Sequence, residues 1–291
     1  MGCTIEIFQP TAAGPGFTRY TGAVPRAKPR PPWGQHFLRD REVLEKIAAA
    51  LPIEPGSLVI EIGPGRGALT KPLLARGARV VAVEIDPRLV VSLEEKFAGA
   101  SGVEIVPANI LNVDLGKLIA DRTEDRVLVA GNLPYYITSP ILKKTFALAD
   151  RVSQAVFLMQ EEVARRVVAT KGDADYGFLS VVCQLYSRPE WLFGVPAEVF
   201  RPPPKVKSAA VRFTLRRGGN VEAEFVRFLQ HCFRQPRKTL LNNLAGLYGR
   251  SQVSKLSQSG HRVHQLDLED LRALWKQLAA SRSPVSQGKA R

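Results

Sequence analysis

"LVIEIGPGRGALTKPLLARGARVVAVEID", residues 58–86, decides the fold. An apolar run at 58–62 ends in glycines at alternate positions, Gly63, Gly65 and Gly67. An amphipathic stretch follows at 68–76, and a second apolar run at 79–85 carries an acid, Glu84, near its end. Short apolar runs separated by helical spacing predict crossover units and a parallel sheet. The alternation continues outward, with runs at 103–106, 126–130 and 154–159 and another amphipathic stretch at 87–97. Crossovers are right-handed almost without exception, so ligands are expected at the carboxyl ends of the strands.

Gly63, Gly65 and Gly67 let the chain turn and approach a ligand closely, and the helix after them offers unpaired amides. Glu84 follows about 20 residues later, where an acid accepts hydrogen bonds from ribose hydroxyls. Glu61 is assigned to bracing the loop. Gly63-x-Gly65-x-x-Ala68 also fits a nicotinamide-cofactor fingerprint, so the loop and its acid admit S-adenosylmethionine and a nicotinamide dinucleotide equally.

The fourth apolar run breaks the tie. It leads into "GNLPYYITSP", residues 131–140, and no residues suited to hydride transfer accompany it. An exocyclic adenine amine is a weak nucleophile, because its lone pair is delocalised into the ring. A site that uses it must hold the base and accept the amine's hydrogens. The Asn132 side-chain oxygen and the Leu133 carbonyl supply two acceptors. Pro134 fixes φ and biases Leu133 toward an extended conformation. Tyr135 supplies a face for the base, stacking being worth roughly 1–3 kcal/mol, and Tyr136 is assigned to packing. The base must leave its own stack, which is cheapest in a loop or single strand and favours structured RNA over duplex DNA.

The formal net charge is +14, unevenly spread. Residues 216–291 hold 14 basic and 5 acidic side chains, whereas residues 33–215 are close to balance with 23 and 21. So lopsided a segment points to a polyanionic partner, nucleic acid before membrane. No apolar stretch is long enough to cross a bilayer. The start "MGCTIEIFQPTAAG" lacks the pattern of a signal peptide, and Glu6 breaks a myristoylation motif. Cys3, Cys183 and Cys232 form no CxxC pair, and His261 and His264 lack a third ligand nearby. Neither a disulfide framework nor a metal site is expected, and a reducing cytoplasm fits best.

The expected organisation is a flexible basic tail at 1–32, a catalytic domain at 33–216, a helical RNA- or ribosome-binding domain at 217–280 and a short tail at 281–291. "RRGGN" (216–220) reads as the linker, and helices are expected to start near Val221, Lys238, Ser251 and Asp267.

Six stretches together resemble one family: "GQHFLRD" (34–40), "EIGPGRGALT" (61–70), "VEIDPRL" (83–89), "GNLPYYITSPIL" (131–142), "VFRPPPKVKSAAVRF" (199–213) and "FRQPRKTLLNNL" (233–244). The chain is similar, from about Trp33 to Leu278, to the small-subunit ribosomal RNA adenine N6,N6-dimethyltransferases. The resemblance implies an α/β fold, with a Rossmann-like class I S-adenosylmethionine-dependent methyltransferase domain and a small all-α C-terminal domain. It implies S-adenosylmethionine as donor and two neighbouring adenosines near the 3′ end of 16S rRNA as acceptors, reached by a monomer in the immature small subunit. Carried over by motif, His36, Leu38, Gly63, Gly65, Glu84, Asn109 and Asn132 hold the cofactor. Asn132, Leu133, Pro134 and Tyr135 form the catalytic turn. Phe200 closes the opposite side of the pocket, and Arg234, Arg237 and Lys238 join Tyr135 in binding substrate. Asn109 departs from the family's usual aspartate, and His36 stands where many relatives have asparagine. The rival readings are a large-subunit rRNA adenine methylase of the macrolide-resistance type, a non-catalytic ribosome-assembly factor and, less favoured, a DNA adenine methylase.

Overall fold

The structure, a computed structural model, describes residues 36–123, 125–218 and 223–280. Both expected tails and the second half of the "RRGGN" linker lie outside the described residues. Arg216, in the linker's first half, donates from Nε to the carbonyls of Gln184 and Ser187, and the Gly218 N–H donates to Asp150. That half is therefore anchored to the sheet domain.

The chain runs β1 (Phe37–Leu38), α1 (Arg41–Ala49), β2 (Leu58–Ile62), α2 (Thr70–Ala75), β3 (Arg79–Glu84), α3 (Pro87–Lys96), β4 (Val103–Pro107), α4 (Leu115–Ala120), β5 (Val127–Asn132), α5 (Thr138–Phe146), β6 (Val152–Gln160), α6 (Glu161–Val168) and α7 (Phe178–Tyr186). It continues through β7 (Ser187–Val195), β8 (Phe200–Arg201), β9 (Ser208–Leu215), α8 (Ala223–Cys232), α9 (Leu240–Tyr248), α10 (Arg250–Ser254) and α11 (Leu268–Ala280). Helix starts carry side-chain caps where the local sequence supplies them. Asp40, Asp86 and Asp114 each accept a backbone N–H from the first turn of α1, α3 and α4.

Seven strands form one sheet in the order β4-β3-β2-β5-β6-β9-β7. The first five are parallel, and β9 and β7 pair antiparallel. The chain winds outward from β2 to β4, then restarts beside β2 with β5, so the topological switch point lies between β2 and β5. Every β2 residue is buried, as a strand covered on both faces must be. Leu58, Ile60 and Ile62 pack with α4 and α5, while Val59 packs with α1 and α2 on the opposite face. β7 was not foreseen. Its Pro189 argues against a central strand, and β7 is indeed an edge, where a missing N–H costs little.

Beyond residue 223 the chain is helical. α8 buries Phe225, Phe228, Leu229 and Cys232, and α11 buries Leu271, Leu274, Trp275 and Leu278, each a stripe at helical spacing. Tyr176, Val181 and Leu185 belong to the same buried cluster, so the C-terminal helices share a core with α7 and the loop before it. The Tyr176 hydroxyl donates to the Leu266 carbonyl, and Lys171 pairs with Asp267 and Asp270. Cys183 and Cys232 are buried free thiols, and no helix among the described residues is long and apolar enough to cross a membrane.

Candidate active site

The glycine loop and the Asn-Leu-Pro-Tyr turn leave the adjacent ends of β2 and β5, where Ile62 registers with Gly131. Glu84 ends β3, and Asn109 follows β4. The first four parallel strands thus bring together the residues that the sequence had placed more than 60 positions apart.

The loop's own hydrogen bonds decide which cofactor it suits. Gly63 N–H donates to the Val83 carbonyl, Gly65 N–H to Glu84 Oε2 at 3.0 Å, and Gly67 N–H to the Pro64 carbonyl. α2 begins at Thr70, just past the loop, and its N-cap Leu69 supplies no side-chain cap. A loop whose glycine amides are spent internally is a poor cradle for a pyrophosphate, which removes the nicotinamide reading. Gly63, at φ +64°, has no atom within 4 Å of where a Cβ would stand, so a ligand without phosphates has access to backbone there. S-adenosylmethionine fits that loop.

Glu84 is only 3 % exposed. Its carboxylate accepts from the N–H groups of Gly65, Ile85 and Asp86, leaving about one of its four acceptor positions for a ribose hydroxyl. Burial raises its pKa, and those three hydrogen bonds oppose the shift. Glu84, assigned from sequence only to the ligand, therefore also pins the loop. Glu61 accepts from the Thr70 hydroxyl at 2.7 Å, at the start of α2. Burial pushes Glu61 up to about 7; the Thr70 bond opposes this and the neighbouring Glu84 charge adds to it.

Asn132 is oriented by a single contact. Its Nδ2 donates to the His36 backbone carbonyl at 2.9 Å. A carbonyl only accepts, so the amide cannot be flipped, and Oδ1 is left as an acceptor without a partner among the described residues. The Leu133 N–H is held by the Leu158 carbonyl. Pro134 leads into a 3-10 turn, Tyr135–Ile137. Tyr135 is half-buried, and its hydroxyl lies 2.8 Å from Ser208 Oγ. Burial raises the phenol's pKa, against the Ser208 hydrogen bond. The His36 ring stacks on Tyr135 with centroids 5.8 Å apart and planes at 26°. His36 Nδ1–H donates to the Pro202 carbonyl at 2.7 Å. His36 therefore touches both ends of the Asn-Leu-Pro-Tyr turn.

Two expectations need correction. Phe200 is fully buried, paired with Leu38 across β8 and β1 and packed with Val156, Leu158 and Ala210. It supports the 36–38 segment from beneath and does not wall a pocket. Tyr136 is 63 % exposed and packs no core. Asn109 Oδ1 accepts the Leu111 N–H at 2.9 Å, which leaves its second lone pair and the Nδ2 donor uncommitted among the described residues. Leu38 is buried, whereas Arg234, Arg237 and Lys238 are exposed in the loop between α8 and α9 and have no acidic partner among the described residues. Asn243 braces that loop by exchanging two hydrogen bonds with the Gln235 backbone.

Some contributors went unrecognised. Ser208 bonds Tyr135 but gives no signal as a lone buried serine. The Phe37 ring stands 3.0 Å from a Cβ position on Gly65 and lies under Arg66, 5.0 Å from its guanidinium. Its motif "GQHFLRD" was identified, but only for the residues beside it.

Comparisons with known proteins agree with this geometry. A profile of the ribosomal RNA adenine dimethylase family matches residues 26–279. The ribosomal RNA small subunit methyltransferase A of Acidobacterium capsulatum is 41% identical over 261 residues, 86% of this chain and 92% of that protein. That of Moorella thermoacetica is 43% identical over 251 residues, 81% and 86% of the two chains. The crystal structure of the 23S rRNA methyltransferase ErmE superposes with a TM-score of 0.65 at 30% identity, covering 84% of this chain and 99% of its own. A dimethyladenosine transferase from Plasmodium falciparum has the same fold, with a TM-score of 0.72 at 24% identity over 84% and 97% of the chains. With its doubly wound sheet, committed glycine loop and Asn-Leu-Pro-Tyr turn, the chain belongs to the ribosomal RNA adenine dimethylase family.

Proposed function

We propose that the protein transfers methyl groups from S-adenosylmethionine to the N6 amines of two adjacent adenosines near the 3′ end of small-subunit (16S) rRNA. The orientation of Asn132 carries this reading: its Oδ1 is held as an acceptor, beside the Leu133 carbonyl, at the switch point of the sheet. The cofactor supplies an electrophilic methyl group. Asn132 Oδ1 and the Leu133 carbonyl accept the two amine hydrogens, which draws the nitrogen lone pair out of conjugation and aims it at the methyl carbon. As the new N–C bond forms, the bond from the methyl carbon to the donor's sulfur would break and release S-adenosylhomocysteine as a neutral thioether; the amine takes over the positive charge, and these acceptors hold it until a proton passes to solvent. No strong base is needed, because that cationic amine is acidic. Tyr135 stacks on the base. Gly63, Glu84 and Asn109 border the cofactor, with His36 and Leu38 behind them.

The immature small subunit as the working substrate, a monomeric state, a cytoplasmic location and a part in ribosome biogenesis belong to the same proposal. So does a division of labour in which residues 33–216 perform transfer and 217–280 hold rRNA through Arg234, Arg237 and Lys238. Relatives named for the small subunit are 38–43% identical, against 30% for ErmE, which favours the small-subunit substrate. The test is to incubate the protein with labelled S-adenosylmethionine and unmethylated small and large subunits, then analyse the rRNA by mass. Four methyl groups on two neighbouring 16S adenosines are expected. Label in 23S rRNA alone would make this a large-subunit enzyme, and no label in either would leave an assembly factor.

Asn109 offers a further check. An aspartate there keeps the acceptor for the Leu111 N–H and replaces the spare amide donor with an anionic acceptor for the cofactor's adenine amine. Asn109→Asp is expected to tighten cofactor binding about tenfold, since hydrogen bonds to charged groups contribute roughly 1.5–3 kcal/mol. Unchanged or weaker binding by calorimetry would reject that role.

A further inference from the structure

The loop Arg201–Lys207 took no part in the site as described, yet both its ends are fastened to that site. At one end the Pro202 carbonyl accepts from His36 Nδ1–H at 2.7 Å. At the other, Lys207 accepts the Glu161 N–H through its carbonyl and precedes Ser208, whose Oγ lies 2.8 Å from the Tyr135 hydroxyl. Between these anchors the sequence is Pro202-Pro203-Pro204-Lys205-Val206, and three consecutive prolines stiffen the backbone. Arg201, Lys205 and Lys207 are exposed, the loop contains no acid, and none of the three has an acidic partner among the described residues. Val206 is 45 % exposed between the two lysines. Tyr136, one residue beyond the base-stacking tyrosine, is the most exposed of the large apolar side chains among the described residues at 63 %. Consecutive Cα atoms are ~3.8 Å apart, so Tyr136 and Lys207 each sit one residue from an atom of the Tyr135–Ser208 contact.

We infer that this loop and Tyr136 form a rim that grips the rRNA strand immediately beside the flipped adenosine, with Tyr136 stacking on the neighbouring base and Lys205 and Lys207 contacting the phosphates. Basic side chains that follow a backbone, interleaved with an exposed ring, are the elements of single-strand recognition. The preformed loop loses little entropy when it binds. It also separates two tasks: Arg234, Arg237 and Lys238 grip the particle at a distance, while the rim positions the nucleotides at the chemistry. The inference rests on the proposed reaction. If the acceptors are adjacent adenosines, the base on Tyr136 is the one awaiting its turn.

The test compares wild type with Lys205→Ala/Lys207→Ala and with Tyr136→Ala, all surface changes, after calorimetry has shown unchanged cofactor binding. Binding of a labelled RNA hairpin carrying the two adenosines is titrated across salt concentrations, and turnover is measured on unmethylated small subunits. The lysine pair is expected to lower the slope of log K against log salt by about 1.4, at ~0.7 per single-strand phosphate contact, and to raise KM with kcat unchanged. Tyr136→Ala is expected to weaken binding about tenfold with the slope unaltered, and Tyr136→Trp to restore it. An unchanged slope and KM in the lysine variant, with wild-type affinity in Tyr136→Ala, would overturn the rim. Wild-type protein that binds the hairpin with these dependences but methylates nothing would instead overturn the proposed reaction and leave the rim standing.

Discussion

Asn132→Ala is expected to lower the rate of methyl transfer by roughly 10²–10³-fold, the loss seen when one preorganised polar group is removed from a reacting centre. Affinity for small subunits should stay within a factor of two or so, because Asn132 touches only the target amine and the contacts proposed to hold the RNA strand lie on other residues. The variant removes both Oδ1, which faces the amine, and Nδ2, which ties the turn to the His36 carbonyl. Asn132→Asp separates these roles. It keeps an oxygen for the amine but sets a carboxylate oxygen against the His36 carbonyl, where two acceptors repel. If orientation through His36 matters as much as the acceptor itself, Asp should be nearly as impaired as Ala. Single-turnover labelling of unmethylated subunits decides the matter. Activity within tenfold of wild type in Asn132→Ala would remove the residue from the reaction, and near-normal activity in Asn132→Asp would leave the acceptor and discard the tether.

The parallel sheet was legible because its signals are local. Runs such as Leu58–Ile62 and Arg79–Glu84 are short, apolar and separated by helical spacing, and each folds as expected. The helices past 223 were legible too: starts expected near Lys238, Ser251 and Asp267 fall at Leu240, Arg250 and Leu268. What the sequence could not show is how side chains share their hydrogen-bonding capacity. Glu84 was assigned to a ligand by its place at a strand end and Asn109 by motif, yet three backbone amides claim the first and the Leu111 N–H claims part of the second. Phe200 and Tyr136 were assigned opposite surroundings from those they have. Burial depends on what lies across the fold: β1 covers Phe200 from a distance of 162 residues, whereas the described residues leave Tyr136 63 % exposed. Ser208 was invisible for the same reason, since its significance is a contact with a residue 73 positions earlier.

Gly131→Ala is expected to damage stability and turnover together, although Gly131 does not have the positive φ that would by itself demand glycine. A Cβ there would stand 2.7 Å from the Ile62 carbonyl oxygen and 3.3 Å from Ile62 Cβ and Leu133 Cδ2. The first neighbour is backbone, locked in the pairing of β2 with β5, so it cannot swing aside. The strands must part by several tenths of an ångström. Overpacking of this kind costs about 1–3 kcal/mol, which for a chain of this size lowers Tm by roughly 2–10 °C. The kinetic effect should be larger, because the strands that part carry the cofactor loop on one side and Asn132 on the other. A displacement on the order of 1 Å between reacting groups costs about 10²-fold in rate. Gly63→Ala makes the contrast: its Cβ meets no atom within 4 Å, and its cost is the strained φ and an obstructed cofactor approach. That variant should lose cofactor affinity while kcat at saturating cofactor falls far less. Wild-type Tm and kcat in Gly131→Ala would mean that the two strand ends yield without consequence, and that their close approach is not what sets the distance between methyl donor and amine.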